Sequence, residues 1–286
     1  MDAECATFVL GWAPGSQTDE MPEEAGFAIG TGVGAFKYYT LQIHYDNPTG
    51  IANQTDSSGF EFWYTPTLRP NDLGVLTTGI VNFTIPASTS TYTLDGGGCP
   101  SACTKNFSQP ITLWRNAFHM HSLGKNMTTR HIRNNAELEP LGSRPFWDFN
   151  HQSLSRIDGN KNGTRVFLPG DQLITKCSYD SSGRNVSTTY GESTSNEMCF
   201  NFLLYWPRMK QFEYCLTDEV GGVCGNNTAV ERVSADLGNF QPYIAQCDSD
   251  PTLSPATAQD SGASSTFMSP AKHALVLWVA VLILLM

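Results

Sequence analysis

Short runs rich in β-branched and aromatic residues recur along this chain, among them KYYTLQIHY, FEFWY, VLTTGIVNFTI, STYTLD and CFNFLLYW, each bounded by clusters of Gly, Pro, Asn and Asp. Such side chains fit a pleated, half-buried surface, and the bounding residues supply turns between strands. No segment carries a convincing amphipathic helical period and no repeat is present. The combination predicts an all-β protein built of antiparallel β-sandwiches. With 286 residues, 40% hydrophobic and 15% charged, the chain is long enough for two folded domains. A boundary is expected near Pro86, where NFTIPAS closes one strand-rich block, giving domains over 1–85 and 86–250.

The formal net charge of -10 and a pI near 5.0 exclude nucleic acid as a partner, because its phosphates would be repelled over most of the surface. The cysteines, Cys5, Cys99, Cys103, Cys177, Cys199, Cys215, Cys224 and Cys247, form no CxxC, so disulfides are expected in place of a zinc ribbon or thioredoxin-type pair. Sequons at Asn53, Asn82, Asn106, Asn126, Asn162, Asn185 and Asn226 point the same way. Together these features predict a protein of the secretory pathway, extracellular or at the cell surface. Met1 to Leu10 has neither the basic start nor the apolar core of a signal peptide, so the true N-terminus is expected to lie upstream.

After Asp250 the composition shifts to a Ser/Thr/Pro-rich linker over 251–273, followed by an apolar run over 274–286. At about 1.5 Å per residue that run reaches roughly 20 Å, short of the ~30 Å hydrocarbon core. A glycolipid-anchor signal fits better: small residues Ser261, Gly262 and Ala263, a spacer, then the tail, attaching the protein to a membrane.

Four side chains stand out as soft-metal ligands: His44 in LQIHYDNP, His119 and His121 in FHMHSLG, and Met198 in NEMCFNF. Residues i and i+2 of a strand project to one face, so His119 and His121 can present two imidazoles to one ion while Met120 points away. A thioether selects copper, above all in its reduced state. On the residues alone, an HxH pair equally describes two ordinary strand histidines, and Met198 a core filler. His131 and His151 read as ordinary surface or hydrogen-bonded histidines, and His273 as part of the tail. With no GxSxG, a hydrolase is disfavoured.

The stretches GWAPGS (11–16), PEEAGFAIG (22–30), LQIHYDNP (41–48), WYTPTLRPNDLGVLTTG (63–79), FHMHSLGK (118–125), LPGDQLITKCSYD (168–180) and EMCFNFLLYWP (197–207) carry a family likeness. In that order they resemble the copper type II, ascorbate-dependent monooxygenases, closer to the dopamine β-monooxygenase and monooxygenase-X branch than to the peptidylglycine enzyme. The resemblance covers about residues 5–250. It implies two jelly-roll-like domains, the first incomplete here, and two copper ions. His119, His121 and Met198 match the ligands of the oxygen-binding, catalytic copper. His44 matches the third histidine of the copper that relays electrons from ascorbate; the family's adjacent His-His pair upstream of GWAPGS has no counterpart here, and Asp46 is the first candidate substitute. The disulfides implied are Cys177–Cys199, Cys99–Cys215 and Cys103–Cys247, leaving Cys5 and Cys224 without partners.

Two departures concern the substrate. Phe202 stands where the family usually has Tyr, with Tyr205 as a candidate substitute, and Ala117 replaces the Arg with which the peptidylglycine enzyme would clamp a carboxylate. The resulting expectation is a monooxygenase hydroxylating a C–H bond of a small, phenethylamine-like molecule with O2 and ascorbate. A non-catalytic copper-binding glycoprotein or adhesion module that kept the sandwich and one metal site stays open beside it.

Overall fold

A computed structural model of the chain describes residues 7–13, 15–16, 19–45, 47, 49–157, 163–226, 229–234, 240–242 and 279–285. Among these, regular structure is strand throughout, apart from the helical turn Ser101–Thr104. The all-β expectation holds.

Two sheets enclose the main core. One orders its strands Ala136–Arg144, Gly124–Arg133, Gln172–Tyr179 and Tyr92–Cys99, all antiparallel. The larger runs Ser155–Arg156, Ile111–His119, Cys199–Trp206, Gly74–Ile80, Tyr214–Thr217, Gly222–Gly225 and Val230–Val233, with Arg165–Phe167 also pairing to Ile111–His119. Its one departure from antiparallel order is Gly74–Ile80 with Tyr214–Thr217, which run parallel. Strand Gly74–Ile80 is central in this sheet, hydrogen-bonded to strands that both lie beyond Pro86, so a division at Pro86 would cut the sheet in two.

Period-two alternation explains how these strands bury their apolar sets. In Cys199–Trp206, Cys199, Leu203 and Tyr205 face inward onto Leu76, Leu113, Leu141 and Met127, while Phe202 and Leu204 take the outer face. Polar residues at mid-core bond to one another: Asn201 Nδ2 donates to Asn116 Oδ1 at 2.8 Å and to Thr129 Oγ1 at 3.0 Å, joining the two sheets. Strand Ile111–His119 carries a bulge, because Leu204 pairs with Arg115 and Tyr205 with Leu113, leaving Trp114 as the extra residue. Before it Ile111 and Leu113 point inward; beyond it Asn116, Phe118 and Met120 do. Ala117 and His119 are thereby turned to the outer face.

Disulfides fasten one sheet to the other. Cys99–Cys215 and Cys177–Cys199 each cross between them, with Cα atoms 4.8 and 6.0 Å apart. Cys103 bonds Cys224, at a Cα separation of 5.8 Å, and not Cys247 as the resemblance implied. The reason is local: Cys224 lies opposite Cys215 in a two-strand ladder, which sets it over the helical turn that carries Cys103. Cys5, Asp46, Asn162, Cys247, Ser261, Gly262 and His273 lie outside the described residues.

The first block contributes a sheet ordered Thr7–Trp12, Val279–Leu285, Tyr39–Tyr45, so part of the apolar run expected as an anchor signal appears here as a strand. No helix among the described residues is long and apolar enough to cross a membrane. This block lies on the outer face of the larger sheet, where Phe8, Met21, Ala25 and Phe27 meet Leu73, Val75, Trp114 and Leu204. The Phe8 and Phe202 ring centroids lie 4.5 Å apart, with their planes tilted by 30°. Each such side chain taken out of water is worth about 1.5 to 3 kcal/mol, enough to hold the block against the sheet that carries the histidines. Of the sequons, Asn53, Asn82, Asn106 and Asn185 are exposed, while Asn126 and Asn226 are half-buried.

Candidate metal centre

His119 closes strand Ile111–His119, and the bulge puts its ring on the outer face, 6.2 Å from that of Phe202. His121 follows two residues on, just past the end of the strand, with its ring centroid 5.1 Å from that of His119 and the planes nearly perpendicular. Met120, between them, is fully buried on the opposite side. The i, i+2 reading of FHMHSLG is the geometry found.

Hydrogen bonds define which nitrogen of each ring carries its proton. His121 Nδ1 lies 2.9 Å from the Asn196 carbonyl, which can only accept, so Nδ1 is the protonated nitrogen. His119 Nδ1 lies 2.7 Å from Gln152 Oε1; the amide is oriented by its own Nε2, which donates to the Phe149 carbonyl at 3.0 Å. Both imidazoles are therefore Nδ1–H tautomers whose basic lone pair sits on Nε2. A hydrogen-bonded Nδ1–H of this kind commonly backs a metal-ligating Nε2. Burial first, and then the neighbouring His121, hold the His119 ring down at about 3, against the pull of Gln152. It is neutral, and able to donate to a metal, over the whole physiological range.

Met198 lies one residue before strand Cys199–Trp206, whose Phe200 pairs with His119 at the end of the ladder. Glu197, fully buried, ties the two backbones together: its Oε2 accepts from His121 N at 2.9 Å and from Met198 N at 3.3 Å, while Oε1 accepts from Leu123 N at 2.7 Å. Burial, opposed by these three donors, leaves its carboxyl at about 7. The carbonyls of the two residues are satisfied as well, that of His121 by Trp147 Nε1 at 3.1 Å and that of Met198 by the Tyr179 hydroxyl at 2.8 Å.

Two glycines make this closeness possible. A Cβ on Gly124 would lie 2.7 Å from the Trp147 ring and 2.9 Å from Met120 Cε. On Gly79, whose φ is +152°, it would collide with the Cys199 carbonyl, next to Met198. The Cys177–Cys199 bond pins the same strand end.

Among the described residues no three His, Cys, Asp or Glu side chains gather as a metal cage. Two imidazoles and a thioether make a soft donor set, which fits Cu(I) and suits a hard cation poorly. The other sequence candidates fall elsewhere. His44 lies on strand Tyr39–Tyr45, in a different sheet. His131 is fully buried and bonded to Asp171, not at the surface, while His151 is exposed and paired with Asp148 at 2.7 Å. Tyr205 does not stand in for the missing phenol near Phe202: its hydroxyl is buried against Met209 and Phe212 in the core.

Sequence reasoning missed Gln152, Asn196, Glu197 and Trp147. Glu197 offered one signal, an acid directly before the apolar run CFNFLLYW; Gln152 sits in a loop with no period or motif.

Residues 71–224 match the family model described as copper type II ascorbate-dependent monooxygenase, C-terminal domain, and residues 1–52 match that of the N-terminal domain. The chain is 38% identical over 210 residues to MOXD1 homolog 1 of Drosophila melanogaster, covering 72% of this chain and 29% of that protein. It is 33% identical to DBH-like monooxygenase protein 1 of Gallus gallus (72% of this chain, 34% of that protein) and 33% identical to dopamine beta-hydroxylase of Canis lupus familiaris (74% and 33%). The chain thus spans about a third of the length of these relatives.

Proposed function

The chain belongs to the copper type II ascorbate-dependent monooxygenase family, and from that premise we propose that it hydroxylates a C–H bond of a small aromatic amine. His119 Nε2, His121 Nε2 and the Met198 thioether would hold the catalytic copper. When bound, copper supplies the redox chemistry that inserts one atom of O2 into the substrate and reduces the other to water with two electrons from ascorbate. The protein's part is to keep the His119 imidazole neutral, fix both tautomers through Gln152 and Asn196, and hold a weak thioether in range. His44 would be one donor to a second, electron-supplying copper. The observation that carries this reading is the pair of Nδ1–H imidazoles bonded to neutral oxygens, with the backbones of His121 and Met198 joined through Glu197.

For the substrate class, support comes from aromatic surroundings and from relatives. Phe202 and Phe149 flank the histidine rings, at 6.2 and 6.3 Å, and relatives are named for dopamine and tyramine. Ala117 offers no cation to bind a carboxylate. The sequons and disulfides favour the secretory pathway as the place of action.

A second reading is copper binding at His119 and His121 without turnover. Copper titration and ascorbate-driven oxygen uptake with tyramine and dopamine separate the two. About one tightly held copper per chain is expected. Met198→Leu should keep the fold and weaken Cu(I) binding about 10- to 100-fold. Unchanged affinity would return Met198 to a packing role, and copper binding without hydroxylated product would favour the second reading.

A further inference from the structure

Sheet pairing does not by itself bring His121 and Met198 together. The ladder between the two strands ends at Phe200 and His119; His121 lies two residues beyond it and Met198 one residue before its own strand begins. Past the ladder, where His121 is 4% exposed, the backbone N–H groups of both residues turn to a side chain. One carboxylate takes both. Glu197 Oε2 is shared by His121 N and Met198 N, at 2.9 and 3.3 Å, and Oε1 receives Leu123 N from the far side of the same turn, at 2.7 Å.

We propose that Glu197 is a positioning residue which replaces the missing ladder and holds the Met198 thioether within reach of the ion carried by the two histidines, an inference that rests on the copper reading above. The chemistry favours a carboxylate over every other side chain here. A carboxyl group offers two oxygens on one carbon, which here meet three backbone donors, and has no N–H of its own to turn against them. A glutamine has a single acceptor oxygen, and its amide nitrogen would face one of the backbone donors. An aspartate keeps the charge but is one methylene too short to span both segments. The effect is directed at one ligand: His119 lies inside the ladder and is oriented by Gln152, so it needs no such help.

The test uses the whole chain loaded with Cu(I), in Glu197→Gln, Met198→Leu and the double variant. X-ray absorption reads the copper–sulfur scattering, and competition with a Cu(I) chelator reads affinity. Glu197→Gln is expected to lose the copper–sulfur contribution, keep the copper–nitrogen one, and bind Cu(I) about 10- to 100-fold more weakly. The double variant should bind no more weakly than Met198→Leu alone, because both changes remove the same interaction. Retained copper–sulfur scattering in Glu197→Gln, or losses that add in the double variant, would overturn the proposal. If Glu197→Gln does not fold, the same scattering measurement on Glu197→Asp decides in the same way. Wild-type protein without copper–sulfur scattering would overturn the ligand assignment itself, a result separable from failure of the Glu197 role alone.

Discussion

His119 and His131 stand at opposite ends of one sandwich, and burial lowers the basicity of both. Their partners differ. His119 and His121 meet an amide and a backbone carbonyl, both neutral. His131 Nε2 meets Asp171 Oδ2 at 2.8 Å, and Arg133 closes on the same carboxylate through two bonds of 2.9 and 2.7 Å, with Leu168 N adding a fourth. Burial pushes the Asp171 carboxyl up, but these donors outweigh it and hold the group below its ordinary value. The contrast teaches how one fold gives the same residue two uses. An imidazole backed by a neutral oxygen keeps a lone pair to offer, whereas one bonded into a carboxylate–guanidinium group is committed to holding the structure.

The comparison breaks most visibly if Asp171 is removed. Asp171→Ala would strand a buried imidazole and half-buried guanidinium, and should cost about 3 kcal/mol or more in a denaturant melt. Because Gly124, beside the metal centre, and His131 are roughly 20 Å apart along one strand, Cu(I) affinity of the folded variant should stay within about twofold. Equal damage to copper binding would show that the two ends are not separate. At the metal end, Gln152→Leu removes a neutral acceptor without exposing a charge. Cu(I) affinity should fall about 10- to 100-fold while the melt moves by less than about 1 kcal/mol; the reverse pattern would make Gln152 a structural partner like Asp171.

Acid sharpens the comparison with a smaller effect. Asp171 has a lower pKa folded than unfolded, so its contribution is complete above about pH 4 and disappears as pH falls through the folded value. His131 is also depressed in the fold, which for a base means that the unfolded chain takes the proton first. Stability should therefore begin to fall below about pH 6.5, by at most about 1.4 kcal/mol per unit for this one group. Melting the metal-free protein from pH 8 to pH 3 beside His131→Asn checks this. The variant should show a shallower slope between pH 6.5 and 4, the remainder belonging to His119, which burial holds down in the same way, and should keep the slope below.

Much of this molecule could be read from its residues in order. Strand-rich runs between turn clusters gave an all-β chain because period two and turn chemistry are local, and HxH gave one face for the same reason. What escaped depends on contacts across long stretches of chain. Nothing near Gly74–Ile80 says that it lies between strands starting at Cys199 and Tyr214. Nothing near RHIR says that His131 is in the core, because its partner Asp171 arrives from another strand's approach. Cys224 found Cys103 through a hairpin that no spacing announces. Gln152 and Glu197 belong to the same class: polar residues whose role exists only once the strands are side by side.

Trp114 gives the site a dependence on counting. Without that single extra residue, Ala117 and His119 would share a face with Leu113 and point into the core, while Phe118 and Met120 would be left facing outward. The metal-binding side of this strand is thus a matter of parity. A lineage that lost one residue between Leu113 and Asn116 would keep every donor in its sequence and still present none of those on this strand to the outer face. Two histidines in a related chain are therefore informative only together with the odd or even number of residues that separates them from the start of the strand.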